Sequence, residues 1–475
     1  MAIFNNNLLA GAGAQSSDST HTIDQSIRFN DDDSPSLDKT YSGAGSRTTF
    51  TFSCWFKIGN TSTSFPFFNG GTGTSDTGWT GVSLSSSSIY VQGYNTNWKV
   101  TTRKLRDHSA WYHLVFVWDT TNSIASERVR VYINGVRETD FSTDNNPSAS
   151  AQAGIGQAQK HSIGYQSRSV GYGYADAYLA EIHFLDGYAY DSSFFGEFND
   201  SGIWIPKEYD GSYGTNGFKI DGRDSSDLGD DESGQGNDYT TSGLASHDQV
   251  SDSPTNNFCV LNPLDKGSNT TLANGNLEFT SSADGGVRSS VFFNADKYYI
   301  EAIVGTYGNS FSFGIANSDR SLSADAGEDL SDFYGWFINP TQNWIASGSN
   351  PWNTGSSSAS ASLDVMQMAI DASDPSSIKL YAGINNTYYN SSGGSDGNPS
   401  NGTNPTATIT GGEEWSIGFW NRNAAASNIL VNFGQEGTFG GNKTAGGNSD
   451  AKGIGNFFYS VPSGFKALCT KNLGS

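Results

Sequence analysis

Charge, proline and cysteine are all scarce in this 475-residue chain, and each shortage removes a class of protein. Charged residues are 16% of the total and lopsided, 26 Lys and Arg against 48 Asp and Glu, for a formal charge of −22. A surface this negative repels nucleic acid and anionic lipid, so a DNA-binding role is disfavoured. The 3 cysteines, Cys54, Cys259 and Cys469, are odd in number, far apart and set in apolar runs. They predict buried free thiols and a reducing folding compartment, not a disulfide framework. No amphipathic 3.6-residue pattern runs beyond about two turns, so helix should be scarce. Nothing is apolar for long enough to insert in a membrane, and MAIFNNNLLAGAGAQSS has neither the basic nor the apolar region of a secretory signal. The 6 histidines show no metal-ligand spacing, and His108 and His113, flanking Trp111, are expected to fill sheet faces.

What the chain does have is aromatic residues and turn formers. The 29 Phe, 22 Tyr and 11 Trp exclude a disordered chain, and 57 Gly beside only 12 Pro fit many tight turns. Trp111 to Phe141 is the most informative stretch. Its first nine residues, WYHLVFVWD, are almost continuously apolar, as in a strand buried on both faces. Val129, Val131 and Ile133 then alternate with Arg128, Arg130 and Tyr132, and Asn134-Gly135 supplies a type I′ hairpin turn. The reading is all-β: two antiparallel β-sandwiches, because the length is too great for one.

Punctuation divides the chain into an arm over 1–23, a first sandwich over 24–200, a loop-rich connector over 201–262 and a second sandwich over 263–475. Strands are expected at Ser26–Phe29, in TTFTFSCWFKI, and at Gly81–Leu84, Ser88–Gly93, Ser162–Tyr165, Ala177–Leu185 and Gly217–Ile220. In the second sandwich they are expected at Lys297–Gly305, Phe311–Ala316, Asp364–Ile370, Ile378–Tyr381, Ser416–Trp420 and Ile429–Gln435, with Pro462–Leu468 closing it.

The run "WYHLVFVWD … VRVYINGVRE", with "FTFSCWFK" and "AYLAEIHFLDGYAY", resembles the laminin-G-like, concanavalin A-like jelly rolls. That resemblance implies a sandwich that binds sugars or proteins, with only some branches cutting sugars. "KYYIEAIV", "FGIA", "DVMQMAID … IKLYAGIN", "VNFGQ" and "PSGFKAL", in that order, resemble a SPRY domain. The whole arrangement, with "DQSIRFNDDDS", "DESGQGNDYT" and "SDSPTNNFCVLNP", resembles marine bacteriophage virion proteins of the tail-fibre or structural kind. It implies assembly in bacterial cytoplasm, exposure on the particle, other virion proteins as partners and a homo-oligomer. No heptad or β-helix repeat sets the stoichiometry. The alternative place is the head, as a decoration or capsid fibre protein. Ile3, Phe4, Leu8 and Leu9 are the candidate attachment residues.

Sugar recognition needs aromatic faces beside amides and carboxylates. Two candidate clusters are read as loops: Trp344, Asn350, Trp352 and Asn353, and Trp79, Tyr94, Asn95 and Trp98. Their expected ligand is a host surface glycan or protein. Asp31, Asp32 and Asp33, with the Asp221–Asp238 region, offer oxygen ligands for Ca²⁺, the one candidate cofactor. A glycan-cleaving jelly-roll enzyme is the second alternative, but retaining hydrolysis needs two carboxylates about 5 Å apart. Glu181 with Asp186, and Glu413-Glu414, lack the alternation that aims two acids into one groove. Gly393–Gly397 spells G-x-S-x-G with no strand before it, so it is a loop and not a nucleophile elbow. The expectation is a protein without enzymatic activity.

Overall fold

Phe50, Phe52, Cys54 and Phe56 alternate with Thr51, Ser53, Trp55 and Lys57, and in the computed structural model they build the strand Thr49–Ile58. Residues 21–59, 64–168, 173–306, 310–323, 332–338, 343–347, 350–353, 363–410, 412–422 and 427–473 are described. Trp111–Asp119 pairs with Thr49–Ile58 along its whole length. Leu114, Phe116 and Trp118 join the three phenylalanines in the sandwich core, whereas Val115 and Val117 face a second apolar cluster with Phe195, Tyr209 and Tyr213. The strand is therefore buried on both faces, which explains its unbroken apolar character. Each large apolar side chain so buried contributes about 1.5–3 kcal/mol.

Two units divide the chain, one running to Asn257 and the other from Phe258. In the first unit, one sheet has the strand order Val136–Arg137, Val129–Ile133, Trp111–Asp119, Thr49–Ile58, Ala177–Asp186, Ser26–Phe29 and Gln249–Val250. The facing sheet runs Phe141–Asp144, Asn97–Thr101, Ser88–Gly93, Thr80–Ser85, Phe65–Gly70, Lys160–Ile163, Ser36–Thr40 and Thr240–Ser242. Asn134 and Gly135 both have positive φ, 48° and 79°, as the hairpin requires. Gly135 is also pressed against Trp204: a Cβ there would lie 2.2 Å from the indole.

The boundary differs from the expected one. The stretch assigned to a connector, 201–262, is mostly built into the first unit: Phe218–Ile220 pairs with Ala177–Asp186, Thr240–Ser242 with Ser36–Thr40, and Gln249–Val250 with Ser26–Phe29. Phe218, Ile220 and Tyr239 lie in the core, so burial outweighs the polar, turn-rich composition of the segment.

The second unit is also a pair of antiparallel sheets. One runs Leu261–Lys266, Gly285–Phe293, Trp415–Arg422, Ser310–Ala316, Phe333–Ile338, Asn343–Ser347 and Asn350–Asn353. The other runs Thr270–Ala273, Glu278–Ser281, Ser427–Asn432, Lys297–Thr306, Val365–Asp371, Ser377–Ile384 and Thr387–Tyr389. Pro462–Leu468 is not a strand; one parallel bridge, Tyr298 to Lys466, joins it to the second sheet, and Phe465 and Ala467 pack against Tyr299 and Tyr381. Among the described residues helix is confined to short 3₁₀ turns, and all three cysteines are buried with no disulfide between them.

Candidate functional site

In the second sheet of the first unit, Leu37, Ile163, Phe68, Val82, Val91 and Tyr239 point into the core. With a side-chain period of 2, their neighbours face outward. Those neighbours are in register across the sheet: Thr240, Asp38, Ser162, Asn69, Gly81, Gln92 and Asn97. The result is a polar row interrupted by one glycine. Ser162 Oγ donates to Asp38 Oδ1 at 2.5 Å, and Gln92 Nε2 donates to Asn97 Oδ1 at 2.9 Å.

Gly81 leaves room above the row for an aromatic roof. A Cβ there would stand 2.8 Å from Asn69 Cβ and 3.2 Å from Trp79 Cζ2. Trp79 Nε1 donates to Asn69 Oδ1 at 3.2 Å, and the backbone N–H of Ser167 reaches the same oxygen at 2.7 Å. Next along the chain, the Arg168 guanidinium carbon lies 4.5 Å from the Trp79 ring centre and 4.3 Å from that of Tyr94. Tyr94 is 37% exposed, while Trp79 is only 2% exposed. The turn carrying Tyr94 is held by Asp76, whose Oδ1 accepts the Asn95 N–H at 2.6 Å and whose Oδ2 accepts the Thr96 hydroxyl at 2.7 Å. Asn95 and Asn97 stay exposed beside it. Tyr94, Arg168, Asn95 and Asn97 thus form a rim of one aromatic ring, one fork of donors and two amides over a rigid sheet.

The expected site residues separate accordingly. Tyr94 and Asn95 line the rim. Trp79 is its buried floor, not a free stacking face. Trp98 belongs to the core side: it packs edge-on against Trp118 with ring centres 6.0 Å apart. The Trp344–Asn353 cluster is not a loop but an edge hairpin. Asn343–Ser347 pairs with Asn350–Asn353, bringing Trp344 opposite Asn353 and Ile345 opposite Trp352. Pro351 is tolerated because the outermost strand needs no donor on its free side. The side chains of this hairpin, like Ile3, Phe4, Leu8 and Leu9, lie outside the described residues.

Asp31, Asp32 and Asp33 form a 3₁₀ turn in which Asn30 Nδ2 donates to Asp33 Oδ2 at 2.7 Å. Among the described residues no group of three or more His, Cys, Asp or Glu side chains is arranged to hold a metal ion, this turn and the Asp221–Asp238 region included. Arg168 and Asp76 were missed by sequence reasoning. The available signal was a lone basic residue in the aromatic segment YQSRSVGYGY of an acidic chain.

A second polar cluster lies on the first sheet. Glu181 has φ +46° at an irregularity in the pairing between Ala180 and His183. Burial alone pushes its carboxyl up, but His183, His21 and Lys219, at 3.0, 3.3 and 3.3 Å, together hold it well below the usual carboxylate range. Burial lowers the pKa of His183 against the opposing pull of Glu181, and its Nδ1 lies 3.0 Å from the Tyr213 hydroxyl. Nearby, Trp204 Nε1 donates to His113 Nδ1 at 3.0 Å, which places the His113 proton on Nε2, 2.8 Å from Ser53 Oγ. That tautomer offers Ser53 a donor and no base, and burial lowers the His113 pKa to about 3. Asp186, the other carboxylate of the first pair, is occupied by the backbone N–H groups of Ser46 and Asn216 at 2.6 and 3.0 Å. Glu413 accepts from Asn317 Nδ2 at 2.7 Å.

Residues 30–186 match the family described as the concanavalin A-like lectin/glucanases superfamily. The SPRY domain of human HERC1 aligns at 11% identity over 36% of this chain and 96% of its own, with a TM-score of 0.26. A Bacteroides ovatus protein designated as carbohydrate-binding aligns at 15% identity over 46% of this chain and 58% of its own, TM-score 0.31. Trypanosoma rangeli sialidase aligns at 14% over 31% of this chain and 22% of its own, TM-score 0.23. No curated protein sequence matches the chain. The match over residues 30–186 agrees with the concanavalin A-like fold of the first sandwich.

Proposed function

We propose that the chain is a non-enzymatic glycan-binding adhesin whose first unit carries the binding rim. The observation that carries this reading is the exposed Tyr94 ring stacked on Arg168, with Asn95 and Asn97 exposed beside it. A pyranose ring stacks on such a face while its hydroxyls take hydrogen bonds from amides and a guanidinium. The lectin/glucanase match over residues 30–186 supports it. Binding without cleavage is favoured because Glu181 is buried among three cationic or imidazole partners and Ser53 faces a donating His113. The proposed place of the adhesin is a bacteriophage particle, as a tail fibre or tail-associated protein, a reading supported by the resemblance in the order of the sequence motifs.

The full chain titrated with surface polysaccharide from a marine bacterial host should bind without releasing reducing sugar. Tyr94→Ala should weaken binding about tenfold with little change in melting temperature. Binding unaffected by Tyr94→Ala would move the site elsewhere, and reducing-sugar release would make the protein an enzyme. Antibody labelling of particles viewed by electron microscopy tests the tail assignment against a head one.

A further inference from the structure

The arginine in this rim is placed differently from the other well-anchored arginines. Arg137 is paired with Glu127 at 2.9 Å and Arg288 with Asp265 at 2.8 Å. Arg168 has no hydrogen bond and no ion pair among the described residues, in a chain with 48 acidic side chains. Its Nε is buried without a partner, and the guanidinium lies between the Trp79 and Tyr94 rings at 4.5 and 4.3 Å. The carboxylate on the neighbouring turn, Asp76, is already occupied by Asn95 N–H and the Thr96 hydroxyl.

A comparable clamp exists in the second unit, where Arg320 lies 4.8 Å from Phe333 and 4.4 Å from Trp420. That arginine is fully buried, so its clamp is packing. Arg168 is half-exposed and its clamp opens at the rim. Aromatic stacking satisfies the faces of a guanidinium and leaves its in-plane N–H fork to find acceptors. A fork fixed in orientation, with no internal acceptor, suits a planar or tetrahedral oxyanion held by two parallel hydrogen bonds.

We propose that the rim reads an acidic glycan, with Arg168 as the residue that binds the carboxylate or sulfate of a sugar whose ring lies against Tyr94. The proposal rests on the glycan-binding reading and adds the ligand class to it. With a formal charge of −22, the protein repels such a ligand at long range. Selectivity must therefore come from the short-range fork, and that makes it sensitive to the single side chain.

The test is calorimetric titration of the full chain, at physiological salt, with polygalacturonate, its fully methyl-esterified form, dextran sulfate and dextran. Polygalacturonate or dextran sulfate should bind about tenfold or more tightly than its uncharged counterpart. Which of the two acid polymers binds separates a carboxylate reader from a sulfate reader. Arg168→Ala should remove that difference, and Arg168→Lys, which keeps the charge without the planar fork, should recover only part of it. Equal binding of charged and uncharged polymers, unchanged in Arg168→Ala, overturns the acidic-ligand proposal and leaves glycan binding standing. No binding to any of the four overturns both. Melting temperatures of both variants should stay within a few degrees of the parent, and a folding defect in Arg168→Ala alone is resolved by the Arg168→Lys result.

Discussion

Lys57 Nζ and Asp252 Oδ2 lie 2.8 Å apart with both side chains fully buried, although the two residues are 195 positions apart in sequence. Asp252 Oδ1 also accepts from Trp111 Nε1 at 3.0 Å, and Lys57 donates to Asn257 Oδ1 at 2.8 Å. A central strand of the first unit is thus pinned to the segment that ends it.

Removing one member of a buried pair strands the other, at a cost of about 3–5 kcal/mol. Lys57→Met should lose stability on that scale in urea unfolding, and Asp252→Asn should lose somewhat less because it still accepts from Trp111. A loss below about 1 kcal/mol for Lys57→Met would show the pin to be dispensable.

Trp79 and Tyr94 should separate stability from binding. Trp79 is buried beneath the rim, so Trp79→Ala is expected to cost about 3–5 kcal/mol in chemical denaturation. Tyr94→Ala should leave the denaturation midpoint nearly unchanged and act on ligand affinity alone. Similar destabilisation by both would mean that Tyr94 is a packing residue.

The second unit should weaken as pH rises. Glu301 is buried while accepting the Tyr299 hydroxyl, the Tyr459 N–H and the Phe458 N–H, each at 2.8 Å. Burial outweighs these donors and pushes its carboxyl from the ordinary 4.5 up to about 7. The folded state thus holds a proton that the unfolded state releases near 4.5, so this contribution is complete below that pH and is lost as pH rises through about 7. Hydrogen exchange read peptide by peptide should show opening of the second unit increasing across that window. Glu301→Gln should flatten the dependence; an unaltered slope would assign it to another group.

The first unit should respond in the opposite direction. Burial lowers His161 from 6.5 to about 4 and His113 from 6.5 to about 3, so both are neutral when folded. Their contribution is present above 6.5, where the unfolded imidazoles are neutral too, and is lost as pH falls through about 4 and 3. Exchange in first-unit peptides should rise on acidification, and His161→Gln should reduce that rise. A flat profile between these limits would contradict the buried neutral state.

Much of the fold was legible because it rests on period and turn chemistry. Trp111–Asp119 announced burial on both faces, and Asn134-Gly135 announced its hairpin. The strand at Phe218–Ile220 was legible, but not its pairing with Ala177–Asp186; Gln249–Val250 is too short to show a period, and only its distant partner in the sheet turns it from connector into strand. The candidate site was half legible. Tyr94 and Asn95 could be read as exposed turn residues, but the register that brings Asp38, Ser162, Asn69 and Gln92 into one row depends on pairing across long separations. The burial of Trp79 depends in turn on the missing side chain of Gly81. Trp344 and Trp352 were read as loop residues because Gly, Ser and Asn dominate their segment, yet edge pairing with Phe333–Ile338 makes that segment a hairpin.

Ser26–Phe29 has Gln249–Val250 as its neighbour in the sheet, and the Ser26 hydroxyl donates to the Asp252 carbonyl across 226 positions of sequence. During synthesis the first described strand therefore waits for the last described one of its unit, with an unpaired edge exposed to other nascent chains meanwhile. Pairing at such separation is slow, since the closure entropy must be met before the contacts form. Expression at reduced temperature or with a holding chaperone should thus raise the soluble yield more than any surface substitution, because the vulnerable species is the unfinished sheet.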